Sequence, residues 1–341
     1  MNSAGFLPPR WLRNHHLQSI LPTSRFRRPW VMPRARQLLT ASRPAILDCG
    51  AGVRLSGDHS RQEDAGRVAA TTLVVLLHGW EGSAQSLYVL GLGSHLFGLG
   101  YDVFRLNFRD HGGSHGLNPG LFHSCRLDEV VGAVSRLHGL FPDKKLCIGG
   151  FSLGGNFALR VAARAPASGI PVERAFAVCP VLSPHSTLEV LERGSFVYRQ
   201  YFIQKWKRSL VEKQRCFPGI YDLKDILAMN TMTAMTDAMV RRYSEFADLD
   251  SYLTGYAIVD GALAGLAVPS HALLAADDPI IPVRDADRLA KTPFLSVTHS
   301  RYGGHCGFLD SFGRESWVNQ WVMRAMGAAP QPMMSGGSDE R

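Results

Sequence analysis

Short apolar runs alternate with helical patterns along most of this chain. Residues 71–77 form a continuous run of β-branched and leucine side chains, and 101–108 have the pattern of the next strand. Runs of this kind are typical of parallel strands that are buried on both faces. Between them, 87–99 has the pattern of a helix that ends before Gly100. This order predicts a βαβ unit and hence a parallel sheet.

The same alternation continues through the apolar part of the sequence. It predicts, in order, two short strands within 44–58 around a turn at 48–52, a helix over 127–140, a strand at 145–148, a helix over 156–165, strands at 174–178 and 268–276, a helix near 284–290, a strand at 294–298, and a last helix that ends near 323. The fold class is therefore α/β, with a mostly parallel central sheet and helices on both faces. Ligands of such sheets bind at the carboxyl ends of the strands.

Three segments depart from this pattern. From about 183 to 255 the chain has long helical stretches with many aromatic and methionine side chains, which we interpret as a helical lid insertion. Those side chains are typical of internal packing or of an acyl pocket, and both interpretations stay open. Residues 1–42 are rich in Pro and Arg and predict an irregular arm packed on the domain, which spans 43–326. The Gly- and Ser-containing stretch 327–341 predicts a disordered tail.

The length and the charge of the chain limit the classes of protein to which it can belong. With 341 residues and 45% hydrophobic content, the chain is long enough for one large domain with an insertion. The net charge is +8, but Lys and Arg are dispersed except at 25–28 and 205–208. Because no groove-reading motif accompanies this charge, we expect no nucleic-acid partner. Peripheral contact of the two basic segments with anionic lipid stays open.

Cysteine usage and the N-terminus indicate the compartment. The six cysteines contain no C-x-x-C pair, which argues against a disulfide scaffold or a zinc site and fits a reducing, cytoplasmic location. Residues 1–11 lack a continuous apolar segment, so we expect no signal peptide. No stretch reaches the roughly 18 to 20 apolar residues of a spanning helix.

The strand at 145–148 runs into a Gly-x-Ser-x-Gly motif centred on Ser152, and a small-residue helical pattern follows. This order is that of a nucleophile elbow, a strained turn that exposes a serine between a strand and a helix. Gly150 and Gly154 suit the turn because they lack the Cβ atoms that would block the backbone. Ser152 would lie at a helix N-terminus, which makes the Leu153 N–H a candidate oxyanion donor.

A serine nucleophile needs a base, and the base needs an acid that holds its tautomer. Of the 13 histidines, His305 is best placed, on a glycine-flanked loop after a late strand and before the last helix. Asp277 and Asp278 both follow the preceding strand. We choose Asp278 because an apolar pair and Pro282 follow it, and we expect Asp277 to shape the turn.

The segment after the strand at 71–77 is a candidate for the second oxyanion donor. It begins with His78, Gly79 and Trp80. The Ser, Asp, His chain order resembles that of α/β hydrolases, in which the loop after this early strand supplies an N–H. Trp80 is therefore the candidate, and Gly79 is the permissive neighbour. We expect His78 to brace the loop rather than to take part in the chemistry.

Several motifs together resemble the YheT-like branch of α/β-hydrolase-fold proteins, which is related to the eukaryotic abhydrolase-domain lipases. They are His16-Leu17-Gln18-Ser19, Leu77-His78-Gly79, Asn107-Phe108-Arg109, Gly150-Phe151-Ser152-Leu153-Gly154-Gly155-Asn156, Asp277-Asp278-Pro279 and Gly303-Gly304-His305-Cys306-Gly307-Phe308. The sequence departs from the family at Ser19, usually Thr, and at Asp110, usually Gly. The resemblance implies that Ser152, Asp278 and His305 form a charge-relay triad and that the substrate is a carboxylic ester, in some members an acylglycerol or phospholipid.

We therefore expect a serine hydrolase that cleaves a small-molecule ester, with a short or medium acyl chain or lipid-like in character, through an acyl-enzyme. This chemistry needs no cofactor or metal. A thioesterase or amidase would use the same triad, and a non-catalytic binding protein could share the fold. The sequence leaves the acyl length, the head group and the oligomeric state open.

Overall fold

The computed structural model describes residues 2–3, 5–313 and 315–327. Its strands are β1 (Asn2–Ser3), β2 (Ser42–Asp48), β3 (Arg54–Ser60), β4 (Thr72–Leu77), β5 (Asp102–Leu106), β6 (Lys145–Phe151), β7 (Val172–Val178), β8 (Ser270–Ala275) and β9 (Leu295–Ser300). Within the described residues they form one sheet in the order β1-β9-β8-β7-β6-β4-β5-β3-β2. Neighbouring strands are parallel except in the two pairs that include β3.

The α-helices surround this sheet. They are α1 (His15–Ile20), α2 (Arg28–Thr40), α3 (Leu87–Gly98), α4 (Leu127–Leu140), α5 (Leu153–Arg164), α6 (Pro184–Arg193), α7 (Phe196–Cys216), α8 (Lys224–Ala228), α9 (Met232–Tyr243), α10 (Leu249–Gly255) and α11 (Trp317–Ala325). Among the described residues, none of these helices combines the length and the apolar character that crossing a bilayer requires.

Alternating side chains of β4 show why the sheet is covered on both faces. Leu73 and Val75 belong to the apolar cluster that contains α4 and α5, whereas Val74 and Leu76 belong to the cluster that contains α2, α3 and α11. All four side chains are fully buried. Since successive strand residues point to opposite faces, a continuous apolar run is what a doubly covered strand requires. The predicted fold class is confirmed.

Most predicted elements are present with small shifts at their ends. The two strands expected within 44–58 form the antiparallel pair β2 and β3. The helix predicted near 284–290 is wrong, because the chain forms a 3-10 helix at Val283–Arg288 instead. Its N-cap residue Pro282 makes no side-chain capping hydrogen bond, and only Asp285 of this segment is buried. Val283 and Ala286 pack against the core but are only partly buried, so little apolar surface stabilises this short segment as an α-helix.

The expectation of an irregular arm over 1–42 is also wrong, because α1 and α2 lie there. In α2, Val31, Ala35 and Leu38 are buried at spacings of four and three residues. This spacing is the helical signal, and two prolines in the same helix obscured it. Beyond residue 327, the predicted disordered tail lies outside the described residues.

The helices α6 to α10, here called the insertion helices, lie between β7 and β8 in the chain. Lys213 of α7 is fully buried, and its ammonium donates to Asp110 Oδ1 at 2.7 Å and to the carbonyls of Asn118 (2.6 Å) and Gly120 (2.9 Å). Asp110 has a φ of 60°. Glycine, the usual family residue at this position, adopts this backbone conformation without strain. Asp110 takes its place here and supplies the carboxylate partner of Lys213, which explains the departure from the family pattern.

Replacing Lys213 with methionine is expected to lower the free energy of unfolding by about 3–5 kcal/mol, since it leaves the buried Asp110 carboxylate without a cation. The added substitution Asp110→Asn should restore part of this loss. Lys207→Met is the control on the same helix, because that side chain donates only one long hydrogen bond, of 3.4 Å to Asn230. Urea denaturation measures all of these variants. A loss below about 1 kcal/mol for Lys213→Met would contradict a stabilising role of the buried Lys213–Asp110 ion pair.

Candidate active site

Ser152 sits on a sharp turn between β6 and α5. Its φ and ψ are 54° and −121°, so the backbone is strained at this residue. A Cβ on Gly150 would lie 2.4 Å from the backbone of Gly154, and a Cβ on Gly154 would lie 2.4 Å from the Leu77 carbonyl oxygen. The turn can therefore form only with glycine at both positions. Asn156 fixes the following helix by donating to the carbonyls of Val181 and Tyr256, both at 2.8 Å.

The structure brings His305 and Asp278 to Ser152. His305 Nε2 lies 2.9 Å from Ser152 Oγ, and His305 Nδ1 lies 2.9 Å from Asp278 Oδ2. The other oxygen, Asp278 Oδ1, accepts hydrogen bonds from the Ile280 and Ile281 N–H groups at 2.8 and 3.0 Å. Because an ionised carboxylate only accepts, Nδ1 carries the proton and Nε2 is left to accept the serine proton. This arrangement can activate a serine hydroxyl.

The adjacent Asp277 has a different task. Its Oδ1 accepts a hydrogen bond from the Gly304 N–H at 2.9 Å, so it holds the loop that carries His305. The two aspartates thus contact different groups, Asp278 the imidazole and Asp277 the loop backbone. Burial raises the pKa of Asp277, and hydrogen bonds from the Gly303 and Gly304 backbone act against this rise.

The N-terminal arm forms the other side of the His305 loop. Ser19 Oγ accepts a hydrogen bond from the His305 N–H at 2.8 Å and donates to the His15 carbonyl at 2.7 Å. The fully buried Gln18 side chain bonds to both the N–H and the carbonyl of Leu309, each at 2.8 Å. The motif that contains Gln18 and Ser19 was predicted only as part of the family resemblance, without a role for either side chain. Serine supplies the same hydroxyl as the usual threonine here.

The loop after β4 approaches the serine from the opposite side. A Cβ on Gly79 would lie 3.3 Å from Ser152 Cβ, so this backbone passes directly beside the serine. Leu153 is the first residue of α5, and its N–H has no partner within the helix. Among the described residues, no hydrogen bond from the Trp80 N–H is found. Within the part of the chain that the structure describes, neither predicted oxyanion donor has a hydrogen-bond partner.

Two histidines brace this loop, as predicted for one of them. The buried His78 ring bonds to the Gly79 carbonyl at 2.7 Å and accepts from the Phe108 N–H at 3.3 Å. The His111 ring accepts from the Glu81 N–H at 3.1 Å. Sequence reasoning missed His111, although it also follows a strand that ends at the same edge of the sheet. Among the described residues, the hydrogen bonds of these two rings go to the backbone and not to Ser152.

A cavity of about 770 Å³ opens above Ser152 and His305. Apolar side chains of the insertion helices line it, among them Tyr198, Phe202, Trp206, Met232 and Met239. Trp80 stacks on Phe202 at 5.5 Å between ring centroids, which ties the oxyanion loop to α7. In contrast, the Met235 side chain is fully buried in the core. The aromatic and methionine stripe therefore serves both packing and the cavity, the two interpretations that its sequence left open.

Comparison with known proteins gives the family. A family model described as the alpha/beta hydrolase fold matches residues 72–312, well over half of the chain. The chain belongs to the α/β hydrolase family.

Among the relatives of this α/β hydrolase is YheT of Escherichia coli strain K12, which is named as an esterase. The two sequences are 25% identical over 316 residues, which is 90% of this chain and 88% of YheT. Mouse phospholipase ABHD3 is 24% identical over 70% of this chain, but the match spans only 58% of that protein. The YheT-like resemblance predicted from the motifs is confirmed.

Solved structures show the same fold at low sequence identity. An esterase of Pyrococcus furiosus has a TM-score of 0.54 and 17% identity, over 86% of this chain and 93% of its own. The 2,6-dihydroxy-pseudo-oxynicotine hydrolase has a TM-score of 0.58 and 14% identity, over 88% and 74% of the two chains. At these identities the likeness concerns the fold alone.

The electrostatics of the α/β hydrolase site follow from burial and from Asp278. Burial by itself lowers the pKa of His305, but the Asp278 carboxylate, with the adjacent Cys306 side chain, outweighs it and holds this pKa well above its ordinary value. Burial lowers the pKa of His78 well below its ordinary value, so this ring is neutral. Glu81 also lines the cavity, and burial raises its pKa to about 7 despite the nearby Lys205.

One group in the described part of the chain could offer three ligand atoms to a metal ion. It consists of Cys179, His305 and Cys306, whose donor atoms lie within 4.8 Å of one another. Both ring nitrogens of His305 already bond to Ser152 and Asp278. A metal here would have to replace one of these partners, so the observed arrangement favours proton transfer over metal binding.

Proposed function

We propose that this α/β hydrolase is a serine esterase in which Ser152, His305 and Asp278 form the catalytic triad. The observation that carries the proposal is the continuous chain of two 2.9 Å contacts from Ser152 Oγ through the imidazole to Asp278, at the floor of the cavity. This order of nucleophile, base and orienting acid is the one that acyl transfer requires. The names of YheT and ABHD3, an esterase and a phospholipase, support the same class of reaction.

The reaction proceeds in two halves. Ser152 Oγ attacks the ester carbonyl while His305 Nε2 takes its proton, and the Leu153 and Trp80 N–H groups stabilise the oxyanion. Collapse of the tetrahedral intermediate breaks the bond to the alcohol, which leaves with the proton from His305. Water then gives a proton to His305 and attacks the acyl-enzyme. Collapse of this second intermediate breaks the bond between the acyl carbon and Ser152 Oγ, which takes the proton back from His305 as the acid is released. Asp278 keeps the tautomer throughout and stabilises the imidazolium.

The volume and the lining of the cavity support this class of substrate. Its volume of about 770 Å³ and its apolar lining fit a small-molecule ester with a short or medium acyl chain, including a lipid-like one. A thioester or amide would use the same groups, and activity on a matched panel of oxygen esters, thioesters and amides ranks the three. The cytoplasmic location stays a prediction from cysteine usage.

Labelling with a fluorophosphonate probe tests the proposal. The probe reacts only with a serine whose hydroxyl is activated by a base, so we expect one adduct per chain, mapped by peptide mass spectrometry to Ser152. His305→Ala should remove the labelling although Ser152 is still present. An adduct on another serine would refute the assignment. A folded wild-type protein without any adduct would favour the alternative of a binding protein on a hydrolase fold.

A further inference from the structure

The cavity opens between the N-terminal arm and the start of α7. Ile20 and Arg25 of the arm line it, and so do Val197 and Tyr201 of α7. These side chains are also exposed, with 46% of Ile20 and 64% of Val197 accessible. A side chain that is both exposed and cavity-lining marks an opening. The two sides of this mouth are joined by a hydrogen bond between His16 Nδ1 and Tyr198 Oη at 2.9 Å.

The arm that borders this mouth also exposes large apolar side chains. Phe26, next to the cavity-lining Arg25, is 81% exposed, and Trp11 and Trp30 are 52% and 44% exposed. The Trp11 ring packs 5.0 Å from that of Phe312, and Trp30 lies against the neighbouring Gly313. We define the mouth patch by the exposed residues Trp11, Ile20, Phe26, Trp30, Phe196 and Val197, with the basic residues Arg25 and Arg28. Such a concentration of exposed apolar side chains marks an interaction surface.

The charges of the mouth patch identify its partner. Arg25 and Arg28 are exposed, and no carboxylate of the described residues lies within 4 Å of either. Exposed aromatic side chains beside unpaired guanidinium groups match the interface of an anionic bilayer, where rings insert among the head groups and cations pair with phosphates. In the second basic segment, Lys205 donates to the Glu81 carbonyl at 2.9 Å, so its charge lies in the cavity.

We infer that the mouth patch docks the protein on the surface of an anionic lipid bilayer, so that an ester-bearing lipid enters the cavity directly from the membrane. This inference rests on the proposed function for the identity of the substrate. Docking itself needs only the patch. The apolar mouth would face the acyl chains, and the route from the bilayer to Ser152 would avoid exposing those chains to water.

Vesicle co-sedimentation tests the inference on the full chain. We expect the protein to bind phosphatidylcholine vesicles that contain phosphatidylglycerol, and to bind more weakly when the anionic lipid is omitted or salt is raised. Arg25→Gln with Arg28→Gln should weaken binding about 25-fold, since each basic side chain near the surface contributes about five-fold. Phe26→Ala should weaken it about ten-fold or more.

Matched variants separate the patch from general effects of charge and apolarity. Arg136→Gln with Arg284→Gln makes the same change of charge on exposed residues outside the patch, and Phe294→Ala removes a phenyl group that is 40% exposed elsewhere. Both controls should bind vesicles as the wild type does. Phe26→Ala should keep wild-type hydrolysis of a water-soluble ester, because Phe26 does not line the cavity.

Each outcome separates docking from catalysis. Hydrolysis of the soluble ester without binding to any vesicle would overturn the docking surface and leave the esterase proposal intact. Vesicle binding by the patch without ester hydrolysis would support docking and reject the proposed function. Equal losses in the patch and control variants would overturn the assignment of the surface. A concentration-dependent dimer that Phe26→Ala dissociates, without vesicle binding, would assign the patch to a second copy of the chain instead.

Discussion

Ser152→Ala is expected to lower kcat for ester hydrolysis by about 10⁶-fold while the protein stays folded. The substitution removes the attacking oxygen, whereas His305, Asp278 and the oxyanion donors remain. The rate that is left should come from binding and oxyanion stabilisation alone, about 10³–10⁴ above the uncatalysed reaction. The fold should tolerate alanine, because the strained φ of 54° is already held with a Cβ present at this position.

Steady-state kinetics with a chromogenic ester measures this loss, and circular dichroism measures the fold. The double variant Ser152→Ala, His305→Ala should be no slower than the single one, since residues that act as a unit are not additive. Ser83→Ala is the control, because Ser83 also lines the cavity but its hydroxyl accepts from the Gln85 N–H. It should change the rate by less than about ten-fold. A Ser152→Ala enzyme with wild-type turnover would refute the proposed nucleophile.

Local patterns were sufficient to predict the central sheet and the groups brought together at its edge. Ser152, Asp278 and His305 each follow a strand, and the carboxyl ends of parallel strands meet at one edge. Their spacing along the chain, together with their loop context, was enough to select them. The glycines at 150 and 154 are predictable for the same reason, because a sharp turn restricts its own neighbours.

The contacts that hold the site in place were not predictable, because they join distant segments. Ser19 and His305 are 286 residues apart in the chain, and nothing local to Ser19 indicates a loop near the C-terminus. Lys213 and Asp110 are 103 residues apart, and a lysine within an amphipathic helix normally predicts an exposed side chain. The helix α2 was missed for another reason, since its prolines masked a regular apolar spacing.

Asp278→Asn is expected to lower kcat/KM by about 10⁴-fold, because an amide can present its N–H to the imidazole and so favour the wrong tautomer. The Asp278 carboxylate raises the pKa of His305. Neutralising it removes this contribution, so the pKa of His305 should fall and the midpoint of the remaining pH–rate profile should move to lower pH. Initial rates measured across the pH range give both quantities.

Asp277→Asn is the matched control, one residue away and with the same change of charge. Its amide oxygen can still accept the hydrogen bond from the Gly304 N–H that Asp277 Oδ1 accepts. We therefore expect a loss of less than about ten-fold and an unchanged midpoint, since a neutral acceptor replaces a charged one in a structural contact. Equal losses in the two variants would mean that the aspartates share one task. A larger loss or a pH shift for Asp277→Asn alone would reverse their roles, because only the carboxylate that orients the imidazole alters both the tautomer and the proton affinity of the base.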